Sequence, residues 1–115
     1  MSPAARAALE AARRRLDRLD LYPRPVRLAG VRLVTAPWLF RLPWFSRFDG
    51  YATHRVILLR DPVGSPGYED LICHELCHVW QMQHRPLRMP VSYLLQGYAA
   101  NSYEEQARAA VERTR

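Results

Sequence analysis

His74-Glu75-Leu76-Cys77-His78 reads H-E-x-x-H, and it decides how the rest of the chain is to be read. Residues four apart lie on one face of a helix, with Cβ atoms about 5–6 Å apart. Two imidazoles placed that way can each reach one Zn²⁺ at about 2.0–2.1 Å. Glu75 is turned about 100° around the helix from His74, so it can take a proton from a metal-bound water instead of coordinating the metal. The motif thus predicts two ligands and a general base for metal-assisted hydrolysis.

A solvated helix face carrying two histidines is the ordinary alternative, and the flanking residues argue against it. Leu71, Ile72, Leu76, Val79 and Trp80 repeat at helical spacing around the motif, so this helix is expected to be buried. Two histidines and a glutamate in such a helix each need a partner, because an unpaired buried polar group costs about 2–7 kcal/mol. One metal ion would satisfy all three. Cys73 and Cys77 sit one turn apart on the same helix, each just before a motif histidine. Successive turns make a poor disulfide. They are expected to be small, buried, reduced residues that point away from the histidines.

Working outward, Ser2 and Pro3 suit the cap and first position of a helix. Ala5, Leu9, Ala12, Leu16 and Leu19 form its apolar stripe, and Pro23 and Pro25 are expected to end it. Residues 26–34 read as a strand with Gly30 as a bulge. The aromatic stretch 37–45 (PWLFRLPWF) fits neither a clean strand nor a clean helix. It is expected to pack as core beneath a loop, to rim a substrate site, or to touch a membrane or partner. Asp49-Gly50 is a turn signal and 52–60 a strand, with no ligand role for His54. Ser65-Pro66 can start the motif helix. A short helix over 91–98 is expected after the breaks at Pro86 and Pro90. The order is α+β, with helices stacked on a small sheet, in one domain over residues 1–115.

A catalytic zinc takes three protein ligands and keeps one open position. On the last helix, Tyr103, Ala107, Ala110 and Val111 define a buried arc. Glu104 lies about 60° from its centre and Glu105 about 160° away, so Glu104 is the preferred third ligand and Glu105 the alternative. A capping box competes for both, as Asn101 with Glu104 or Ser102 with Glu105.

Composition sets the remaining bounds. Hydrophobic content of 49% with three Trp and six Tyr excludes a disordered chain. No apolar run approaches the roughly 20 residues of a transmembrane helix. The charged N-terminus lacks the apolar region of a secretory signal, which predicts a cytoplasmic protein. All 17 basic residues are Arg, and residues 1–60 hold twelve of them against four acids. That half could meet nucleic acid, an acidic protein or anionic lipid, although a solvated surface is the simpler reading.

The segment His74-Glu75-Leu76-Cys77-His78-Val79-Trp80-Gln81, together with Asn101-Ser102-Tyr103-Glu104, resembles the gluzincin metallopeptidases. The similarity is greatest to the minigluzincins and related small zincin-like domains carrying H-E-x-x-H-x-W-Q and N-P-Y-E. Ser102 stands where those usually have Pro, and Gln106 where a second Glu is common. The short interval from His78 to Glu104 argues against a deep cleft. The resemblance implies a zincin-like fold, with an N-terminal helix, a small sheet, an active-site helix and a glutamate helix. It also implies a zinc-dependent peptidase acting on a peptide or protein substrate. His74, His78 and Glu104 would hold Zn²⁺, and Glu75 would be the base. Tyr98, with Tyr93 and Tyr103 as alternatives, would stabilise the oxyanion, and the strand near 56–59 would align an extended peptide as an edge. Two other functions compete. One is a latent or non-catalytic zinc-stabilised binding module, its cleft plugged by the 37–45 segment. The other is a protease drawn to nucleic acid by its basic half.

Overall fold

A computed structural model describes residues Met1–Arg115. Its elements are α1 (Pro3–Leu16), β1 (Arg32–Thr35), a 3₁₀ turn (Leu39–Arg41), β2 (Gly50–Ala52), β3 (Val56–Leu59), α2 (Tyr68–His84), α3 (Arg88–Gln96) and α4 (Ser102–Thr114). This is the expected α+β class, with four helices and a mixed three-stranded sheet. One cluster of 19 buried residues, drawn from α1, the connection that follows it, the sheet, α2 and α4, forms the core.

Ser2 caps α1, its side chain accepting from the Ala5 amide at 3.1 Å, and Ala5, Leu9, Ala12 and Leu16 face inward. The helix stops at Leu16, well before Pro23. Bonds from Arg18 to the Arg15 carbonyl and from Leu19 to that of Leu16 tighten the last turn, so Leu19 enters the core from outside the helix. Arg15 then reaches the Val111 carbonyl (3.1 Å) and the Thr114 hydroxyl (3.1 Å), and Arg18 reaches the Thr114 carbonyl. These arginines satisfy orphan carbonyls at the C-terminus of α4 and complement its dipole.

The sheet departs from the expected pattern in three ways. The first strand spans only 32–35, and Gly30, at φ 79°, belongs to the preceding turn, where Val31 bonds back to Leu28. There is no bulge. Gly50 opens β2, and the reversal comes at Thr53–Arg55, where the Thr53 hydroxyl accepts from the Val56 amide at 2.9 Å. The strand order is β1-β3-β2, with β3 parallel to β1 and antiparallel to β2. Val56–Leu59 is therefore the central strand, not an edge. Its unbroken apolar run suits a position flanked on both sides, with Ile57 and Leu59 completely inward. β2 is the edge nearest α2.

Helix α2 is buried nearly all round, with Ile72, Cys73, Leu76, Cys77, Val79 and Trp80 almost inaccessible. Gly67, at φ 79°, precedes it in place of a side-chain cap, and Glu69 and Asp70 supply negative charge to its first turn. Trp80 donates to the Arg24 carbonyl at 2.8 Å. Both cysteines are free and buried, as the spacing suggested, and burial pushes both thiols up in pKa. Helix α3 begins three residues earlier than expected. Pro90 falls in its first turn, where the missing N–H removes no helical bond. No helix is long and apolar enough to cross a membrane.

Candidate metal centre

His74 and His78 project from the middle of α2 with ring centroids 4.8 Å apart. Glu104 enters from the first turn of α4 and is only 2% exposed. Asn101, not Ser102, caps that helix, accepting from the amides of Tyr103 (2.8 Å) and Glu104 (3.2 Å). Neither capping box forms, because the Glu104 carboxylate turns inward and Glu105 is exposed. Asn101 is itself fully buried and donates to the Ser92 hydroxyl at 2.9 Å, tying α4 to α3.

Glu104 Oε1 lies 2.7 Å from Nε2 of His74, and Oε2 lies 2.9 Å from Nε2 of His78. Tyr98 donates to Oε1 at 3.1 Å and Tyr93 to Oε2 at 3.0 Å. Burial opposes charge on Glu104, but the two histidines outweigh it and hold its pKa well below the usual carboxylate range. Burial likewise opposes charge on His78, yet the Glu104 hydrogen bond leaves its pKa raised. Both tyrosines are shifted up, first by burial and then by the Glu104 charge.

Ligand atoms of His74, His78 and Glu104 all lie within 4.8 Å of one another, close enough to hold one metal ion. The donor set also calls for a cation. On the far side of His78, Nδ1 meets Oε1 of Gln81 at 2.8 Å, while Nε of Gln81 is committed to the Tyr103 carbonyl and to Gln106. The Gln81 oxygen can only accept, so Nδ1 carries the proton. Nε2 then faces a carboxylate that also only accepts, and it must hold a second proton or give its lone pair to a metal. The 2.7 and 2.9 Å contacts are hydrogen-bond lengths. Neighbouring ligands of tetrahedral zinc stand about 3.3 Å apart, so the carboxylate and the imidazoles would both adjust to admit one.

Glu75 is 6% exposed, and no protein group hydrogen-bonds it. Burial raises its pKa, with His78 and His74 acting in the opposite direction. It faces a cleft of about 540 Å³ that is also lined by His78, Glu104, Tyr93 and Tyr98. One wall of this cleft is β2. A Cβ at Gly50 would stand 3.2 Å from Cγ of Glu75 and 3.3 Å from its Oε2. Trp44, Phe45, Arg47 and Phe48 form the rim, whereas Phe40 is core. Of the aromatic stretch, then, one part is core and another part rims the cleft.

The four residues expected at the site, His74, Glu75, His78 and Glu104, converge, and Tyr98 reaches the carboxylate. Tyr93 does so equally, while Tyr103 meets the site only through its carbonyl, which accepts from Gln81. Sequence reading missed Gly50, which it placed in a turn, and the part played by Gln81. Gln81 lies three residues beyond His78 on the same helix, which is a legible signal. Compared with protein-family models, curated proteins and solved structures, the chain matches none, and the functional reading rests on this geometry.

Proposed function

We propose that this protein is a small zinc-dependent peptidase of zincin type. The observation that carries the reading is the convergence of two imidazole Nε2 atoms and one buried carboxylate, next to a second carboxylate that no protein group engages. His74, His78 and Glu104 would hold a zinc ion, which would supply Lewis acidity toward a substrate carbonyl and bring the pKa of a water to about 7. Glu75 takes the proton of the attacking water and passes it to the leaving amine. Tyr98 and Tyr93 hold hydroxyl donors beside the same point, where they can turn toward a developing oxyanion. With β3 central, the strand that borders the cleft is β2, and its free edge would pair with an extended substrate.

Native mass spectrometry and cleavage of a mixed peptide library test this together. The expected result is one zinc per chain in the parent and in Glu75→Gln, with cleavage at least about 100-fold slower in that variant. Glu104→Gln should lose the metal. Zinc without cleavage in the parent would favour a zinc-stabilised binding module instead. No zinc after incubation with stoichiometric Zn²⁺ would end the metallopeptidase reading.

A further inference from the structure

Eight of the eleven large hydrophobic side chains exposed on this molecule come from two short segments. Trp38, Leu42 and Trp44 belong to the aromatic stretch after β1, at 66%, 41% and 71% exposure. On and around α3, Leu87, Val91, Leu94 and Leu95 reach 77%, 45%, 86% and 82%, and Tyr98 follows. The four aliphatic residues fall within an arc of about 100°, opposite the buried Met89 and Ser92, so α3 is apolar on its outer face as well as its inner one. The two segments meet across the mouth of the cleft, which Trp44 lines on one side and Met89 and Pro90 on the other.

Charge on these segments has one sign. Residues 36–48 and 85–103 contain no Asp or Glu, but they carry Arg41, Arg47, Arg85 and Arg88, all exposed and none ion-paired. The nearest surface acid in the rim sequence, Asp49, is already paired with Arg60 at 3.5 Å. We propose that this face is a docking surface for an anionic membrane, with Leu94, Leu95 and Trp44 entering the headgroup region and the arginines meeting lipid phosphates. The inference does not depend on the metal.

Three features favour a bilayer over other occupants. Leu87, Val91, Leu94 and Leu95 stand 45–86% exposed and line no part of the cleft, which suits insertion among lipids better than packing on a protein. Tryptophan and arginine beside leucine are the residues that settle at a membrane–water interface. A second copy meeting this face across a two-fold axis would set four unpaired arginines against four more.

The test is co-sedimentation of the full chain with phosphatidylcholine vesicles, alone or with about one-third phosphatidylglycerol. Binding should require the anionic lipid, weaken with salt, and shift tryptophan emission to the blue. Arg41→Ser with Arg88→Ser should weaken it about thirtyfold. Leu94→Ser with Leu95→Ser should weaken it at least about tenfold with the thermal midpoint unchanged, since both side chains are already in water. Equal binding to neutral and anionic vesicles, or none, would overturn the proposal. So would undiminished binding by the leucine variant, which would mean attachment by charge alone. A dimer that the leucine variant dissolves would assign the face to a second copy. Binding to polyglutamate but not to anionic vesicles would assign it to an acidic protein.

Discussion

Gln81 and His78 form a fixed pair, with Oε1 of the amide 2.8 Å from Nδ1 of the ring and the amide nitrogen anchored to the Tyr103 carbonyl at 2.8 Å. The glutamine cannot flip without losing that anchor, so it sets both the tautomer and the angle of the imidazole. Gln81→Leu keeps the helix and removes the acceptor. Zinc affinity should fall about 10–100-fold, as for other groups that orient a metal-binding histidine. Competition against a chelator measures it. An unchanged affinity would show that packing alone orients the ring.

Gly50 leaves little room for a side chain beside Glu75. A methyl group there stands 3.2 Å from Leu71 and from the Glu75 side chain, so those neighbours must give way by a few tenths of an ångström. Gly50→Ala should slow peptide cleavage while leaving zinc stoichiometry intact, at a cost of about 1–3 kcal/mol in stability. Cleavage at the parent rate would mean that the carboxylate has room to spare.

Asn101 and Ser102 make opposite predictions despite being adjacent. Asn101→Ala removes two accepted bonds and one donated bond at a fully buried position. It should cost about 2 kcal/mol, seen in a urea midpoint, and weaken zinc binding by loosening the turn that carries Glu104. Ser102→Ala should be silent within about 0.5 kcal/mol, because that side chain is exposed and caps nothing.

Asp70 provides the acid-dependent test. It joins α2 to Arg15 at 2.9 Å and to Arg115 at 2.8 Å. Burial pushes its pKa up, but the hydrogen bonds from Arg115 and Arg15 outweigh this and leave it lowered. A carboxylate whose folded pKa lies below the unfolded value of about 3.9 stabilises the fold above that value. The contribution is lost as the pH falls through the folded pKa. Asp70→Asn should therefore destabilise at neutral pH, by about 0.2–1 kcal/mol for each partly exposed pair, and converge with the parent in acid.

Local chemistry explains what could be read in advance. The H-E-x-x-H spacing and the apolar residues around it placed α2, and helical phase alone separated Glu104 from the exposed Glu105. The N-terminus of α1 was equally legible, because Ser2 and Pro3 act within one turn. Strand order was not, since pairing depends on partners far apart in the chain. Nothing local to Val56–Leu59 says that Arg32–Thr35 will lie beside it in parallel. Nor does a sequence of Asp before Gly tell a turn from a strand start that must pass close to a buried glutamate.

Cys73 and Cys77 both belong to α2. Each occupies the back of the helix that presents the histidines, fully enclosed, with the thiolate disfavoured by burial. An alkylating reagent can reach them only when the helix lifts from its neighbours. With no other thiol in the chain, their labelling rate is a built-in clock for the separation of α2 from the core, readable without a substrate.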